Sequence, residues 1–292
     1  MISIHDLSPA RTIHILERAR ALKASPQNNV CSGKTLGMIF EKPSMRTRVS
    51  FEVGMTQMGG HAIYLSHDIG KIGKRESPKD VAIVLSRYLD ILMMRTFSHE
   101  LVQRIAEHAT IPVINGLTDY LHPCQAMADI FTIQENFPDK KDIHLVFVGD
   151  GNNVARSLAY AAEKVGIRFT LCTPAGYEFD DAFAATLKSP VRIVHDPVEA
   201  VDGADVIYTD VWTSMGQEGA QERKAVFRPY QINAELVSNA GDCVKVMHCL
   251  PAHRGEEITD AVIDSSASVV YDQAENRLHV QKAIITCLLG IE

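Results

Sequence analysis

The chain has 292 residues, more than one hydrophobic core ordinarily fills, so two domains of about 130–150 residues are expected. An apolar share of 46% and a charged share of 22% are those of an ordinary globular protein and exclude a disordered or fibrous chain. A formal net charge of −7 argues against a general nucleic-acid binder, while leaving room for a local basic pocket.

Six cysteines stand at 31, 124, 172, 243, 249 and 287, with no C-x-x-C pair among them. That spacing favours reduced thiols in a cytoplasmic enzyme over a disulfide framework or a zinc ribbon. The first nine residues show neither a basic n-region nor an apolar h-region, so no secretion leader is expected. No apolar run approaches the roughly 18 residues that span a bilayer. The composition therefore points to a cytoplasmic protein with no nucleic-acid partner and no membrane segment.

In chain order, Ser8-Pro9 opens a helical pattern with Ile13, Leu16, Ala19 and Leu22 on one face, ending near Ser25-Pro26. The apolar run Thr35–Phe40 reads as a buried strand. Behind it Pro43 suits a first helical turn, Ser44 can cap, and Phe51, Met55 and Met58 recur at helical spacing. A strand, a tight turn and a helix start thus carry Ser44, Arg46, Thr47 and Arg48 together. Free backbone N–H groups, hydroxyls and two guanidinium groups would converge there as an anion site suited to phosphate. A capped surface helix with two solvated arginines is the plainer alternative.

A Gly59-Gly60 turn precedes a strand over 62–65 and a polar segment over 66–79, rich in charge and turn residues as a mobile loop would be. A helix over 80–87, a strand over 90–95, a helix over 98–109 and a strand over 112–115 follow. Pro123 starts a helix through Ala126, Ile130, Ile133 and Phe137 that stops at a charged break over 138–142, the expected domain boundary. A second series of strands is expected over 144–150, 169–172, 191–194, 206–210 and 244–248. A final apolar helix, near 282–289, should pack back across the first domain. Alternation of strand and helix implies parallel sheets covered on both faces. The expected fold is α/β: two Rossmann-like domains, each a parallel sheet flanked by helices, joined by interdomain helices. The first domain is expected over 1–137, completed by 276–292, and the second over 138–275.

Ligands bind at the carboxyl ends of strands in such sheets. The first domain offers Ser44 to Arg48, then Arg95, then His122 and Gln125. Singly, an arginine at a strand end or a histidine before proline reads as a surface or cap residue. Together they form a polar pocket able to hold a phosphate and polarise a carbonyl oxygen. The second domain offers Asn152 and Asn153, then Asp210, Ser214 and Met215, then Cys249 and Leu250. Gly149-Asp150-Gly151 suggests a dinucleotide loop, but the third glycine is missing and the acids near 177–181 do not end the second strand. No nicotinamide cofactor is expected. Cys249 alone reads as an inert core thiol, though His248 beside it could polarise it.

These motifs resemble the aspartate/ornithine carbamoyltransferase family over nearly the whole chain. Ser44-Met45-Arg46-Thr47-Arg48 is similar to its carbamoyl phosphate motif S-x-R-T-R, and His122-Pro123-Cys124-Gln125 to its H-P-x-Q motif. Asp210-Val211-Trp212-Thr213-Ser214-Met215-Gly216 and His248-Cys249-Leu250-Pro251 resemble the ornithine branch, with its D-x-x-x-S-M-G and H-C-L-P. An aspartate enzyme would show H-P-L-P-R at the latter place. Relatives using N-acetylornithine or putrescine would lack the S-M-G signature. The resemblance implies sequential transfer of carbamoyl from carbamoyl phosphate to the δ-amine of L-ornithine, giving L-citrulline and phosphate without a covalent intermediate, cofactor or metal.

The resemblance further implies that Ser44, Met45, Arg46, Thr47, Arg95, His122, Gln125, Cys249, Leu250 and Arg277 meet carbamoyl phosphate. Asn153, Asp210, Ser214 and Met215 would meet ornithine. Arg95, His122, Asp210 and Cys249 would be catalytic. Read without the resemblance, Arg277 would be a cap on the last helix. Homotrimers with sites at subunit interfaces are the family's assembly, yet the loop that should reach a neighbour carries Lys71 where many members have glutamine. A carbamoyltransferase for another amine, or a non-catalytic paralogue, is the alternative reading. Synthesis and breakdown of arginine use the same site chemistry.

Overall fold

The computed structural model describes residues 1–66, 72–73, 76–213 and 220–291. The chain divides into two units, Met1–Phe131 with Glu275–Glu292, and Thr132–Ala274. The divisions fall inside two long helices, each beginning in one unit and ending in the other.

The first unit runs α1 (Pro9–Ala24), β1 (Thr35–Phe40), α2 (Met45–Gln57), β2 (His61–Ser66), α3 (Pro78–Leu85), β3 (Ile91–Arg95), α4 (His99–His108), β4 (Val113–Leu117) and the start of α5 (Pro123–Asn136). Its strands pair in parallel in the order β2-β1-β3-β4. β1 is buried from Leu36 onward and β3 up to Met94, as expected of central parallel strands covered on both faces. Ile39, Leu92, Met94, Val102 and Ile105 form the core between the sheet and α4. Burying each such side chain stabilises the fold by about 1.5–3 kcal/mol before entropy is counted.

Local chemistry sets the helix starts. Ser8, Ser44, Ser77 and Ser98 each accept a backbone N–H three residues on, capping α1, α2, α3 and α4. Pro9 and Pro78 occupy first-turn positions where a missing N–H costs nothing. α1 buries Thr12, Ile15, Leu16, Ala19 and Leu22, whereas Ile13, expected on that face, is 44% exposed. The apolar stripe is one residue further round than the sequence pattern indicates.

The second unit contains β5 (His144–Val148), α6 (Asn153–Val165), β6 (Arg168–Cys172), α7 (Asp181–Ala184), β7 (Arg192–Val194), α8 (Pro197–Val201), β8 (Val206–Thr209), α9 (Ala220–Phe227), α10 (Ala234–Ser238), β9 (Lys245–His248), α11 (Asp260–Ile263) and the start of α12 (Val270–Leu289). Its parallel sheet has the order β7-β6-β5-β8-β9. Val146, Val148, Ile207, Val246, Ile258 and Val262 belong to one buried cluster.

α12 is twenty residues long and starts well before 282. Gln273, Asn276, Arg277, Gln281 and Lys282 are all buried, and these polar side chains break the apolar pattern by which the helix would be recognised. Within the first unit Lys282 Nζ donates to the carbonyls of Leu22 and Pro26 and to Gln57 Oε1, at 3.4, 2.8 and 3.0 Å. A Cβ on Gly54 would stand 3.2 Å from Lys282 Cγ, so this glycine makes room for the buried lysine. Arg277 therefore lies well inside a helix and is no cap. Among the described residues no helix is long and apolar enough to cross a membrane.

Candidate functional site

Strand order reverses between β1 and β3 in the first sheet, and between β5 and β8 in the second. At such points successive crossovers leave on opposite faces and open a crevice beyond the carboxyl ends of the strands. The chemistry-bearing residues cluster at these two places.

In the first unit Ser44, after β1, receives Thr47 N–H at 3.3 Å, and the two hydroxyls lie 3.1 Å apart. Arg95 ends β3 where its register against β4 shifts. The Arg95 carbonyl accepts Glu41 N–H at 2.8 Å, tying the two strand ends together. His122 lies just before Pro123, and its carbonyl accepts the N–H groups of Gln125 and Ala126 as α5 begins.

Arg277, only 5% exposed, joins these pieces. Its Nη1 donates to Gln125 Oε1 at 2.6 Å and its Nη2 to Thr47 Oγ1 at 3.3 Å. Hydrogen bonding orients the Gln281 amide so that its oxygen accepts from Arg277 Nη2 and Nε at 2.9 and 3.1 Å, while its nitrogen donates to Ser50 Oγ at 2.7 Å. Gln125 Nε2 in turn donates to Asp129 Oδ1 at 2.8 Å. A guanidinium is thus fixed by groups from α2, α5 and α12. Burial, then the charges of Arg277 and Arg95, hold the His122 pKa well below its ordinary 6.5, so its imidazole is neutral at pH 7.

One expectation needs correction here. Arg48 does not join the cluster: its Nε donates to Glu52 at 2.9 Å and its guanidinium stacks 4.1 Å from the Tyr64 ring centroid. One helical turn carries Arg48 round toward an i+4 carboxylate, away from the face that holds Thr47. Met45 is 73% exposed at the first position of α2.

In the second unit Asn152 caps α6, accepting Val154 and Ala155 N–H at 2.9 and 3.0 Å. Its Nδ2 donates to Asp210 Oδ2 at 2.9 Å, across the β5–β8 crevice. Asp210 Oδ1 accepts Val211 N–H at 2.8 Å and the Cys249 thiol at 2.9 Å. Asn153 is the first residue of α6, beside this chain of contacts. Asn152 makes the contact to Asp210; its only sequence signal is an asparagine, a favoured capping residue, ahead of a helix start. Ser214, Met215 and Lys71 lie outside the described residues.

Behind Asp210, Arg223 Nη2 meets Asp150 Oδ2 at 2.5 Å and Nε donates to the Trp212 carbonyl. Burial raises the Asp150 pKa despite this arginine. Gly151 has a packing role: a Cβ there would meet the Glu178 backbone at 2.9 Å, and its N–H donates to the Tyr177 carbonyl. The backbone segment at Glu178–Phe179, packed against Gly151, fills the space that a dinucleotide pyrophosphate needs.

The ligand atoms of Asp210, His248 and Cys249 lie within 4.8 Å of one another, as do those of His253, Glu256 and Glu257. Both ring nitrogens of His248 are engaged by protein partners, Leu250 N–H and Glu257, which leaves neither for a metal.

Comparison with known proteins places the chain in a family. Residues 1–135 match the family model described as aspartate/ornithine carbamoyltransferase, carbamoyl-P binding domain. Residues 141–288 match the corresponding Asp/Orn binding domain. The chain belongs to the aspartate/ornithine carbamoyltransferase family. It is 53% identical to an ornithine carbamoyltransferase of Syntrophus aciditrophicus, covering 99% of each chain. It is 50% identical to that of Pyrococcus abyssi, over 99% of this chain and 95% of the relative. The solved ornithine carbamoyltransferase of Pyrococcus furiosus superposes with a TM-score of 0.95 at 50% identity, covering 99% of this chain and 96% of that one. The Thermus thermophilus enzyme follows at 0.92 and 40% identity, covering 99% of this chain and 98% of that one.

Proposed function

We propose that the protein transfers the carbamoyl group of carbamoyl phosphate to the δ-amine of L-ornithine, releasing L-citrulline and phosphate. The observation that carries this reading is the Asp210 carboxylate holding the Cys249 thiol at 2.9 Å where β8 and β9 end. An acidic group suits a substrate ammonium. Aspartate's second carboxylate would need a cation there.

The phosphate of carbamoyl phosphate is held by the α2 start, with Ser44, Thr47, the Met45 backbone and Arg46. Arg95 and neutral His122 donate to the carbonyl oxygen as negative charge develops on it. Gln125 Oε1, which accepts from Arg277, keeps a second lone pair for a carbamoyl N–H. Arg277 fixes Thr47 and Gln125 and contributes positive charge against the phosphate. Asn153, Asp210, Ser214 and Met215 take ornithine, and Cys249 and Leu250 meet the carbamoyl group that its δ-amine attacks.

An alkylammonium has a pKa of about 10.4, so the δ-amine must lose a proton before attack. Its lone pair then forms the C–N bond at the carbonyl carbon, and the C–O bond to phosphate breaks with the electron pair leaving on phosphate. Asp210 and the departing phosphate both offer oxygens for the displaced proton.

A homotrimer in the cytoplasm is part of the same reading. Val49 and Val53 of α2 and Ile63 of β2 are exposed apolar side chains on adjacent elements of the first unit, and all six cysteines are free. Sedimentation analysis tests the assembly. For the reaction, carbamoyl phosphate is offered with L-ornithine, putrescine, N-acetylornithine and L-aspartate separately. Citrulline from ornithine alone is expected, and turnover with only another amine overturns the assignment of the second unit.

A further inference from the structure

The turn after β9 is held by a buried pair that the reaction above does not use. His248, 1% exposed, ends β9, and its side chain and that of Glu257 are both fully buried. His248 Nδ1 accepts Leu250 N–H at 2.8 Å. An acceptor Nδ1 carries no proton, so the ring hydrogen sits on Nε2 and is donated to Glu257 Oε1 at 2.9 Å. The same Glu257 oxygen receives His253 N–H at 2.6 Å. One carboxylate oxygen therefore grips both ends of the turn 249–252, one end through an imidazole and the other through the backbone. The His248 backbone is anchored too, donating to Gln273 Oε1 at 2.9 Å, while Gln273 Nε2 donates to Tyr208 OH at 3.0 Å.

Leu250 has φ +55°, a left-handed conformation that is strained for a non-glycine residue. The hydrogen bond from Leu250 N–H to His248 offsets that strain, and it exists only while His248 keeps its proton on Nε2. A solvated loop would need none of this.

We propose that Glu257 is a positioning residue: by fixing the His248 tautomer it holds the Cys249–Leu250 turn so that the Cys249 thiol rests on Asp210. This rests on the assignment of Cys249 and Asp210 to the transfer reaction, but its structural half can be tested without turnover. The pair acts through the turn and touches no reacting atom.

Two variants cut the two bonds separately. Glu257→Ala removes the acceptor for His248 Nε2, whereas His248→Gln retains a donor toward Glu257 and deletes the acceptor for Leu250 N–H. Both are made on a Cys243→Ser background, because Cys243 is the exposed cysteine and Cys249 the half-buried one, the other four being buried. Iodoacetamide labelling of the folded protein then reads Cys249. Both variants should label several-fold faster and lose about 10–100-fold in kcat, the scale on which misplaced supporting groups act. Glu257→Gln, whose amide oxygen can still accept from His248 and His253, should recover most of both. Affinity for inorganic phosphate at the α2 start should not change. If a folded Glu257→Ala or His248→Gln protein labels and turns over like its parent, the proposal is overturned. Should the parent make no citrulline, the functional reading fails, and the labelling rates still decide the positioning role.

Discussion

The two units use one topology for opposite chemistry. Each places its site where a parallel sheet reverses strand order, yet the first builds a cationic cradle and the second an acidic one. In the first, the cation comes from far away in sequence: Arg277 on α12 reaches Thr47 on α2 and Gln125 on α5. In the second, neighbouring strand ends suffice, with Asn152, Asp210 and Cys249 following β5, β8 and β9. A phosphate dianion needs several donors converging from different directions, which no single strand end supplies. An ammonium needs one well-placed carboxylate. The crevice is general, and the residues at its lip decide what it holds.

That contrast can be broken most severely at Arg277. Arg277→Met should lower kcat/KM for carbamoyl phosphate by about 10²–10³-fold, the cost of losing a charge-stabilising donor. Buried Gln125 and Gln281 would lose their donor as well, lowering stability by about 1–3 kcal/mol in urea unfolding. Asp210→Asn should cut kcat/KM for ornithine about 100-fold and leave the KM for carbamoyl phosphate within a few-fold. If Asp210→Asn instead damaged carbamoyl phosphate binding alone, the division of labour between the units would be wrong.

Ser44→Ala tests the cap within the cradle. It should cost about 1 kcal/mol of stability, together with weaker phosphate binding measured by calorimetry. His122 gives a pH signature. Its folded pKa lies well below 6.5, so below that value the unfolded chain binds a proton that the native protein refuses. Stability should therefore rise with pH up to about 6.5 and fall as pH drops below it, and His122→Asn should flatten part of that slope in thermal melts. His99, His144 and His279, also lowered chiefly by burial, act in the same direction. The smallest effect is expected at Arg48, where Arg48→Ala removes an exposed i,i+4 pair and a ring contact and should shift stability by about 1 kcal/mol or less.

Much of this protein is determined by local sequence. Serine caps, first-turn prolines and short apolar runs mark where most helices and strands begin, because backbone hydrogen bonding and burial are local demands. Arg95, Asp210 and Cys249 stand at strand ends, and Ser44 and His122 just before helix starts, both of which a sequence pattern locates directly. What the sequence could not determine are choices made by partners distant along the chain. α12 extends back to Val270 because its polar residues are satisfied by tertiary hydrogen bonds rather than by water. Arg48 leaves the anion cluster because Glu52 and Tyr64 are there to receive it. The His248 tautomer depends on a carboxylate nine residues away, and only folding brings that oxygen to the ring. A local motif can name the groups of a site, but their hydrogen-bond partners, and hence their charge and direction, are settled by tertiary packing.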